Sequence, residues 1–373
     1  MDSLLQHSEG MNEERKESAQ GETSGKEVHK TDLRSLSFDE LEAALVSMGE
    51  KPFRARQIFS WLHAKQAADF SEMTDLSKSL RERLSRRFFL TVPQLVEVLI
   101  SNLDGTRKYL FGLADGNVIE SVWMEYRHGN SVCISTQVGC RMGCRFCAST
   151  LGGLVRNLTP GEMLGQVYQM GRLMGKRISN VVLMGSGEPF DNYENVVRFI
   201  RLITDERGLG LSARGITLST CGLPDGIRRL AKEGLPVTLA LSLHAPDDEK
   251  RRELMPIANK YSLKEVLPAC DFYFEQTGRR VSFEYSLVSG VNDRKEEARA
   301  LAALLSGRNC HVNLIPVNPV KERKYVRSGA RTIDDFKNVL EKYEINATIR
   351  REMGRDINGA CGQLRQSYRE THH

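Results

Sequence analysis

Short runs of alternating apolar and polar residues, separated by longer stretches of helical periodicity, fill the chain from about residue 130 onwards. The short runs are rich in Val, Ile and Leu and predict β-strands, whereas the stretches between them predict helices. The first of these helices opens with Thr159, Pro160 and Glu162, the pattern of a capping box with proline at the first helical position. Strands that alternate with helices favour a parallel sheet with helical crossovers. The predicted strands are SVCISTQ, ISNVVLMG, ARGITLST, LPVTLALSLH, RRVSFEYSLV, CHVNLIPV and INATIRRE.

Unusual residues follow almost every predicted strand, as in MGSGEP after the second, STCG after the third and SLHAP after the fourth. In parallel barrels, ligands collect at the carboxyl ends of the strands. We therefore predict an α/β fold, a partial (β/α)6-type barrel of the TIM kind rather than a doubly wound sheet. One mouth of this barrel is expected to hold Glu188, Ser219, Ser242, His244 and Asn318.

Amino-acid composition and local motifs divide the rest of the chain into regions. The first residues are rich in Glu, Lys, Ser, Gly and Gln, which cannot bury enough apolar surface to fold. A capping box of Ser37 and Glu40 then opens the first of three short basic helices, and Asp115–Gly116 indicates a tight hairpin turn farther on. The predicted regions are a disordered tail at 1–33, a helical accessory domain at 34–94, a β-hairpin connector at 95–127, the barrel at 128–366 and a C-terminal tail at 367–373. The basic face of the accessory domain suits contact with RNA, although a solvated helix face is the more common meaning of such charges.

Charge and composition favour a protein of a reducing compartment. The net charge is +5, but residues 1–34 carry eight acidic and five basic side chains, so the remainder of the chain is at +8. A mildly basic body suits nucleic acid, although ordinary surface charge gives the same balance. Eight cysteines are thinly spread, the N-terminus lacks the apolar run of a secretory signal, and no window resembles a membrane span. We expect a cytoplasmic protein with no membrane contact.

The stretch CRMGCRFC places Cys140, Cys144 and Cys147 at a C-x3-C-x2-C spacing, with no fourth cysteine beside them. Three thiolates can hold three irons of a four-iron cluster and leave the last iron open for a ligand. The alternative is a structural zinc site completed by a distant histidine. The chain has no second C-x-x-C and no H-x3–5-H, which zinc sites usually contain.

A three-cysteine loop after the first strand of a β/α barrel resembles the radical S-adenosylmethionine (SAM) enzymes. The segments NSVCISTQVGCRMGCRFCAST, MGSGEPFDNYENV, LSLHAPDDEKRRELMPI, CHVNLIPVNP and DINGACGQLR together resemble the RNA adenosine methyltransferases of the RlmN/Cfr family, over residues 35–366. GEPFDNY is similar to the branch that methylates carbon 2 of adenine in 23S rRNA and tRNA. The antibiotic-resistance branch, which methylates carbon 8, remains an alternative.

The resemblance implies one 4Fe-4S cluster on the three cysteines and two SAM molecules per turnover. In the family the open iron binds the amino and carboxylate groups of SAM. By resemblance Gly187 lets the backbone approach SAM, and Glu188 binds its ammonium group. The implied SAM-binding residues are Gly187, Glu188, Ser219, Ser242, Leu243, His244 and Asn318. Cys221 stands where we expect Ser or a small apolar residue, and it is predicted to pack as a small hydrophobe.

The resemblance also implies three catalytic residues. Cys361 accepts a methyl group from a first SAM, and the resulting thioether, after hydrogen abstraction, adds to adenine as a methylene radical. Glu120 removes the proton from carbon 2. Cys133 then attacks the sulfur of Cys361 and forms a transient disulfide, which an external reductant opens. Without the resemblance, Glu120 and Cys133 are unremarkable strand residues.

The implied partners are 23S rRNA and tRNA, together with an electron donor such as flavodoxin or ferredoxin, and we expect a monomer. Two further alternatives stay open at this point. A glycyl-radical activase would share the cluster but would not need Cys133 and Cys361, and a zinc-containing RNA-binding protein would need no SAM. The basic residues predicted to bind RNA phosphates are Arg279, Arg280, Lys321, Arg323, Lys324, Arg327, Arg350, Arg351 and Arg355.

Overall fold

The computed structural model describes residues 30–318, 320, 322–357 and 368 of the 373-residue chain. Residues 30 to about 90 form a small helical unit, and in the remaining described residues ten strands form one large sheet. Among all the residues described, none of the helices has the length and apolar character that a membrane crossing requires.

The helical unit contains the three predicted helices. The Ser37 hydroxyl accepts a hydrogen bond from the Glu40 N–H while the Glu40 carboxylate accepts one from the Ser37 N–H, so the predicted capping box is present. Leu41 and Leu45 lie one turn apart on the first helix, and both are fully buried in the apolar core. The elements are β1 Thr31–Asp32, α1 Phe38–Ser47, α2 Phe53–Phe59, a π-helical turn Ser60–Ala64, α3 Lys78–Arg87 and β2 Phe88–Phe89.

The prediction of a disordered tail through residue 33 is wrong for its last residues. Thr31 and Asp32 pair with β2 as a parallel strand, and Leu33 is fully buried. The Asp32 carboxylate accepts hydrogen bonds from the N–H and the hydroxyl of Thr91, at 3.1 and 2.7 Å. These partners are far away in the sequence, so local composition could not reveal them. Residues 1–29 lie outside the described part of the chain.

The helical unit is fixed to the first helix of the barrel, α4 Pro160–Met174. The Arg34 guanidinium is buried, donates to the carbonyl oxygens of Thr91 and Ala67, and lies 5.5 Å from the ring centre of Tyr168 on α4. α4 begins at the predicted capping box of Thr159 and Glu162. Hydrogen-bond contacts join the unit directly to α4: the His63 Nδ1 lies 3.0 Å from the Tyr168 hydroxyl, and the Gly161 N–H donates to the Ser35 hydroxyl at 2.9 Å.

Residues 94–133 form an antiparallel meander rather than a separate hairpin connector. The predicted turn at Asp115–Gly116 is present, with Gly116 at a φ of +81°. The last strand of the meander also pairs in parallel with the next strand of the barrel, so the meander belongs to the same sheet. The prediction of a distinct connector is corrected accordingly. The strands are β3 Gln94–Ile100, β4 Arg107–Gly112, β5 Val118–Tyr126 and β6 Gly129–Cys133.

Parallel strands continue the sheet from β6, in the order in which they occur in the sequence. All seven predicted strands are present. The sheet is open, with β3 at one edge and β14 at the other, which confirms a partial barrel. The remaining strands are β7 Gln137–Gly139, β8 Leu154–Asn157, β9 Asn180–Leu183, β10 Ile216–Thr220, β11 Thr238–Ser242, β12 Val281–Leu287, β13 Cys310–Pro316 and β14 Ala347–Ile349. The helices after α4 are α5 Tyr193–Thr204, α6 Pro224–Ala231, α7 Asp248–Leu254, α8 Leu263–Thr277, α9 Lys295–Leu305 and α10 Ala330–Lys342.

Side chains along a barrel strand point alternately into the apolar core and toward the concave side of the barrel. In β10, Ile216 and Leu218 are fully buried in the apolar core, whereas Ser219 is only partly buried and lines a cavity at the carboxyl end of the strand. Successive side chains of a strand point to opposite faces, so each strand contributes both to the core and to the cavity.

Candidate active site

The carboxyl ends of the strands surround a cavity of about 580 Å³, a size that suits a small-molecule ligand. Residues from β5 to β13 and from the loops that follow the strands line it. The predicted mouth residues all lie in this lining: Glu188, Ser219, Ser242, His244 and Asn318. The topology of a parallel barrel therefore brings together polar side chains that are up to 130 residues apart.

The three-cysteine loop forms one wall of the cavity. It is closed at its base by antiparallel pairing of β7 with β8, and the Cys140 N–H donates to the carbonyl of Gly153 at 3.0 Å. The Thr150 hydroxyl lies 3.1 Å from the carbonyl oxygen of Cys144 and 3.0 Å from that of Cys147. All three cysteines line the cavity. The loop is thus held by its backbone, and its thiols are available to a ligand.

Burial makes these thiols poor acids when they have no metal. It raises the pKa of Cys140 to about 12, and it also raises the pKa values of Cys144 and Cys147. For Cys144 the neighbouring sulfurs of Cys147 and Cys140 add to the effect of burial. Cysteine binds a metal as the thiolate, so the binding of the metal must displace the protons of these thiols.

The arrangement of the thiols distinguishes a cluster from a single ion. Zinc requires its ligands to converge on one point, with sulfur atoms about 2.3 Å from the ion. Within the described ranges, no group of three or more His, Cys, Asp or Glu side chains is arranged to hold one metal ion. An iron–sulfur cluster presents a separate iron to each thiolate and does not need this convergence. The three thiols of this loop have the chemistry that three irons of a cluster require.

Cys221 packs as a small hydrophobe, as predicted. It is buried in a contact cluster with Cys140 and Met142, and burial raises the pKa of its thiol. Its N–H donates to the Glu188 carboxylate at 2.8 Å, and its carbonyl accepts a 2.6 Å hydrogen bond from the buried Arg251. The STCG loop is therefore held by its backbone on both sides.

The Glu188 carboxylate faces the cavity but already has partners. One oxygen accepts from the N–H of Cys221 at 2.8 Å, and the other accepts from the N–H of Phe190 at 3.1 Å. Burial raises the pKa of this carboxyl group. The side chains of Thr220 and Cys221 also hydrogen-bond this carboxyl group. Glu188 lines the cavity, so the binding of an ammonium group there stays a prediction.

Gly187 lines the cavity, and the packing of the backbone requires a glycine at this position. Its φ is +115°, and an added Cβ would lie 2.6 Å from the Thr136 hydroxyl and 2.7 Å from the Gln137 N–H nitrogen. Thr136 precedes β7, and Gln137 is the first residue of that strand. A side chain at residue 187 would therefore push apart two of the loops that line the cavity.

Gly187→Ala is expected to lower the free energy of unfolding by about 2 kcal/mol or more, because strained backbone and a steric clash act together. Denaturant unfolding measures this change. Gly234→Ala is the matched control, since Gly234 also has a positive φ, +68°, but an added Cβ would meet nothing within 4 Å. Equal losses in the two variants would contradict the clash with Thr136 and Gln137.

His244 is a neutral histidine that points into the cavity. Its Nδ1 accepts a 2.9 Å hydrogen bond from the Ser286 N–H, and burial, followed by the charge of Arg251, lowers its pKa to about 3. The ring proton is therefore on Nε2, which makes that nitrogen a donor. The ring also meets Phe146 edge to face at 4.8 Å.

Leu243 does not join its neighbours at the cavity. It is fully buried in the main apolar core, while Ser242 and His244 on either side line the cavity. The alternation of side chains along an extended segment accounts for this difference. The prediction that Leu243 binds SAM is therefore wrong for its side chain, which does not line the cavity. The Leu243 N–H donates a hydrogen bond to the carbonyl of Glu284.

Glu120 and Cys133 lie on neighbouring strands and face the same cavity. In the β5–β6 register Cys133 is opposite Val122, and Glu120 is two residues from Val122 on the same face. Burial raises the pKa of the Cys133 thiol to about 11, an effect that the charge of Arg350 opposes. Two of the three predicted catalytic residues are therefore brought together.

Cys361 lies outside the described residues, but the segment that precedes it is fixed beside the cavity. The Asp356 carboxylate accepts hydrogen bonds from the Ser101 hydroxyl at 2.5 Å and from the Asn102 N–H at 2.8 Å. The Gly354 N–H donates to Asp104 at 2.9 Å. The β3–β4 turn therefore holds residues 354–356, whose neighbour Met353 lines the cavity.

The predicted basic rim is only partly correct. Arg327, Arg350, Arg351 and Arg355 line the cavity, and Arg323 donates to Thr150 of the three-cysteine loop. Arg279 and Arg280 precede β12 and lie at the opposite end of the strands, where Arg279 donates to the Thr238 hydroxyl at 2.8 Å. Arg279 and Arg280 therefore do not belong to the predicted phosphate-binding rim. Lys321 lies outside the described residues.

Two buried charged residues of the site escaped the sequence reasoning. Glu284 lines the cavity from β12 and accepts a 2.8 Å hydrogen bond from the Asn313 amide. Lys108 on β4 is fully buried and pairs with Glu120. A signal was present in the sequence for Lys108, which shares its face of β4 with Leu110, but not for Glu284, which shares its face of β12 with Ser282 and Ser286.

Comparison with known proteins agrees with this site. Residues 31–90 match the family described as the ribosomal RNA large subunit methyltransferase N-terminal domain, and residues 134–302 match the radical SAM superfamily. A relative from Lachnoclostridium phytofermentans, "Probable dual-specificity RNA methyltransferase RlmN", is 61% identical over 91% of this chain and 96% of its own. A relative of the same description from Clostridium perfringens is 56% identical over 90% of this chain and 97% of its own.

A solved structure is also similar over nearly the whole chain. The crystal structure of a radical SAM methyltransferase from Sphaerobacter thermophilus superposes with a TM-score of 0.86 at 45% sequence identity, covering 89% of this chain and 98% of that one. The three-cysteine loop, the open barrel and these relatives lead to one conclusion. The chain belongs to the RlmN family of radical SAM RNA methyltransferases, whose cofactors are SAM and a 4Fe-4S cluster.

Proposed function

We propose that this RNA methyltransferase transfers a methyl group to carbon 2 of adenosine in 23S rRNA and in tRNA, with two SAM molecules consumed per turnover. The observation that carries the proposal is the β5–β6 register, which supports a base at Glu120 and a thiol at Cys133 beside one cavity with the cluster-binding loop. A simple SAM-cleaving enzyme would not need this pair.

The target carbon explains why so many groups are needed. Carbon 2 of adenine lies between two ring nitrogens, is electron-poor and has no lone pair, so it cannot displace a methyl group from SAM. The cluster on Cys140, Cys144 and Cys147, together with SAM, supplies a carbon radical when both are bound. Glu188 and the Nε2–H of His244, which line the same cavity beside the three-cysteine loop, offer polar contacts to SAM.

Cys361 carries the carbon that is transferred. Its sulfur accepts a methyl group by displacement, and after loss of one hydrogen atom the methylene carbon bonds to carbon 2 of adenine. Glu120 then removes the proton from carbon 2, and the unpaired electron of the adduct would return to the oxidised cluster, which leaves a closed-shell thioether. Cys361 is the fourth residue after Ile357, which limits the distance between their Cα atoms to about 14 Å. The anchored segment 354–356 is therefore consistent with a thiol that reaches the cavity.

Cys133 releases the product. Its sulfur bonds to the sulfur of Cys361, the S–CH2 bond breaks, and the electron pair moves to the methylene carbon, which takes a proton and becomes the methyl group. A two-electron reductant then returns the disulfide to two thiols. We propose that flavodoxin or ferredoxin supplies the electron for SAM cleavage.

The substrate base must leave its stack to reach this cavity. Arg350, Arg351 and Arg355 line the entrance and can bind the phosphates that flank the target adenosine. Phosphate contacts of this kind make the affinity for RNA decrease steeply as salt increases.

Mass spectrometry of nucleosides tests the proposed product. Purified 23S rRNA and tRNA from cells that have or lack this protein are digested and compared. The proposal predicts 2-methyladenosine in both RNAs only when the protein is present. 8-Methyladenosine in its place would assign the carbon-8 reaction, and unchanged 2-methyladenosine in the cells lacking the protein would overturn the proposal.

A further inference from the structure

Lys108 is a buried charged residue that the proposed chemistry does not yet use. We propose that Lys108 is a positioning residue, which holds the Glu120 carboxylate through a buried ion pair so that this carboxylate can take the proton from carbon 2. The inference rests on the proposed function, since it assumes that Glu120 is the base.

The strand register creates the pair. On β4 and β5, Lys108 is opposite Val122 and Glu120 is opposite Leu110, so the two charged residues are diagonal neighbours on one face of the sheet. Long side chains can meet across such a diagonal. The Lys108 ammonium nitrogen lies 3.1 Å from an oxygen of the Glu120 carboxylate.

The two ends of the pair differ in their access to the cavity. Glu120 lines the cavity, whereas the Lys108 side chain is fully buried and is not part of the cavity wall. The Lys108 ammonium is therefore placed to act on a bound base through the Glu120 carboxylate. A lysine is rarely buried completely unless it is paired, and removing one partner leaves an uncompensated charge.

This geometry has a catalytic consequence. The ammonium, 3.1 Å from a carboxylate oxygen, fixes the rotamer in which the Glu120 side chain faces the cavity. Without Lys108 this buried contact is lost, and the carboxylate is no longer held toward the substrate. Removal of the proton from carbon 2 then becomes slower, whereas RNA binding and SAM cleavage, which precede this step, do not.

A deuterium isotope effect separates this role from a structural one. Lys108→Met and Lys108→Arg are compared with the unaltered protein in single turnovers on RNA that carries hydrogen or deuterium at carbon 2 of the target adenine. Lys108→Met is expected to methylate about 10- to 100-fold more slowly, in line with the loss of a proton acceptor. Its isotope effect should be larger than that of the unaltered protein, and Lys108→Arg should be intermediate in both.

Three controls keep the outcomes distinct. Lys176→Met removes the exposed partner of Glu125 on the same strand and should leave the rate and isotope effect unchanged. Formation of 5′-deoxyadenosine and RNA affinity should be preserved in the Lys108 variants. If Lys108→Met does not fold, the test is made on Lys108→Arg. An isotope effect equal to that of the unaltered protein would overturn the role of Lys108, whereas failure of the unaltered protein to methylate carbon 2 would overturn the proposed function instead.

Discussion

Cys133→Ala is expected to become covalently joined to its RNA and to complete no more than one reaction per protein molecule. The alanine removes the sulfur that attacks Cys361, so the S–CH2 bond to the base cannot break. The thiol lies in an apolar contact cluster with Val122 and Met124, and alanine fills most of the same space. Denaturing gel electrophoresis with labelled RNA measures the adduct, and mass spectrometry locates it on Cys361.

The matched control for this variant is Cys310→Ala. Cys310 is also a buried strand thiol, but it lies at the amino end of β13, away from the cavity. It should release its product normally. An adduct in neither variant, together with sustained turnover by Cys133→Ala, would contradict the role of Cys133 in product release.

Cys140→Ala is expected to lose iron, sulfide and all methylation. With two thiolates left, the loop cannot hold three irons of the cluster, and without the cluster no radical forms. Iron and sulfide analysis of protein purified without oxygen measures the loss, and the brown colour of the cluster reports it directly.

Cys270→Ala is the control for this loss. Cys270 is fully packed in α8 within the main core, so its removal changes packing but not the metal site. It should keep its colour and its activity. If Cys140→Ala retained both the colour and turnover, the assignment of the three-cysteine loop to a cluster would be wrong.

Much of this architecture could be predicted from local sequence patterns. The barrel strands are short aliphatic runs bounded by glycine and polar residues, so their existence follows from periodicity alone. The meeting of Glu188, Ser219 and His244 at one mouth then follows from topology, because parallel strands end on the same side. No knowledge of distances was needed for either step.

Contacts that depend on register could not be predicted in the same way. Whether Lys108 meets Glu120 depends on how β4 aligns with β5, and a shift of one residue would place the two charges on opposite faces. The same limit explains Leu243, whose neighbours suggested a place in the cavity while alternation directs its side chain to the core.

Partners that are distant in sequence set a second limit. Thr31–Leu33 have a polar, tail-like composition, yet pairing with β2 and hydrogen bonds to Thr91 give them fixed structure. Arg279 was grouped with other arginines by charge alone, although its position before β12 directs it to the far end of the barrel. Composition reports what a residue can do but not which end of a strand it occupies.

The isotopic composition of the transferred methyl group tests most directly whether the carbon travels through Cys361. The protein is first incubated with trideuteromethyl SAM, freed of excess and then supplied with unlabelled SAM, reductant and RNA for one turnover. Passage through Cys361 predicts a methyl group with two deuterium atoms, because one is removed to form the radical and the last hydrogen comes from solvent. A product methyl group with three deuterium atoms, or with none, would contradict the relay through Cys361.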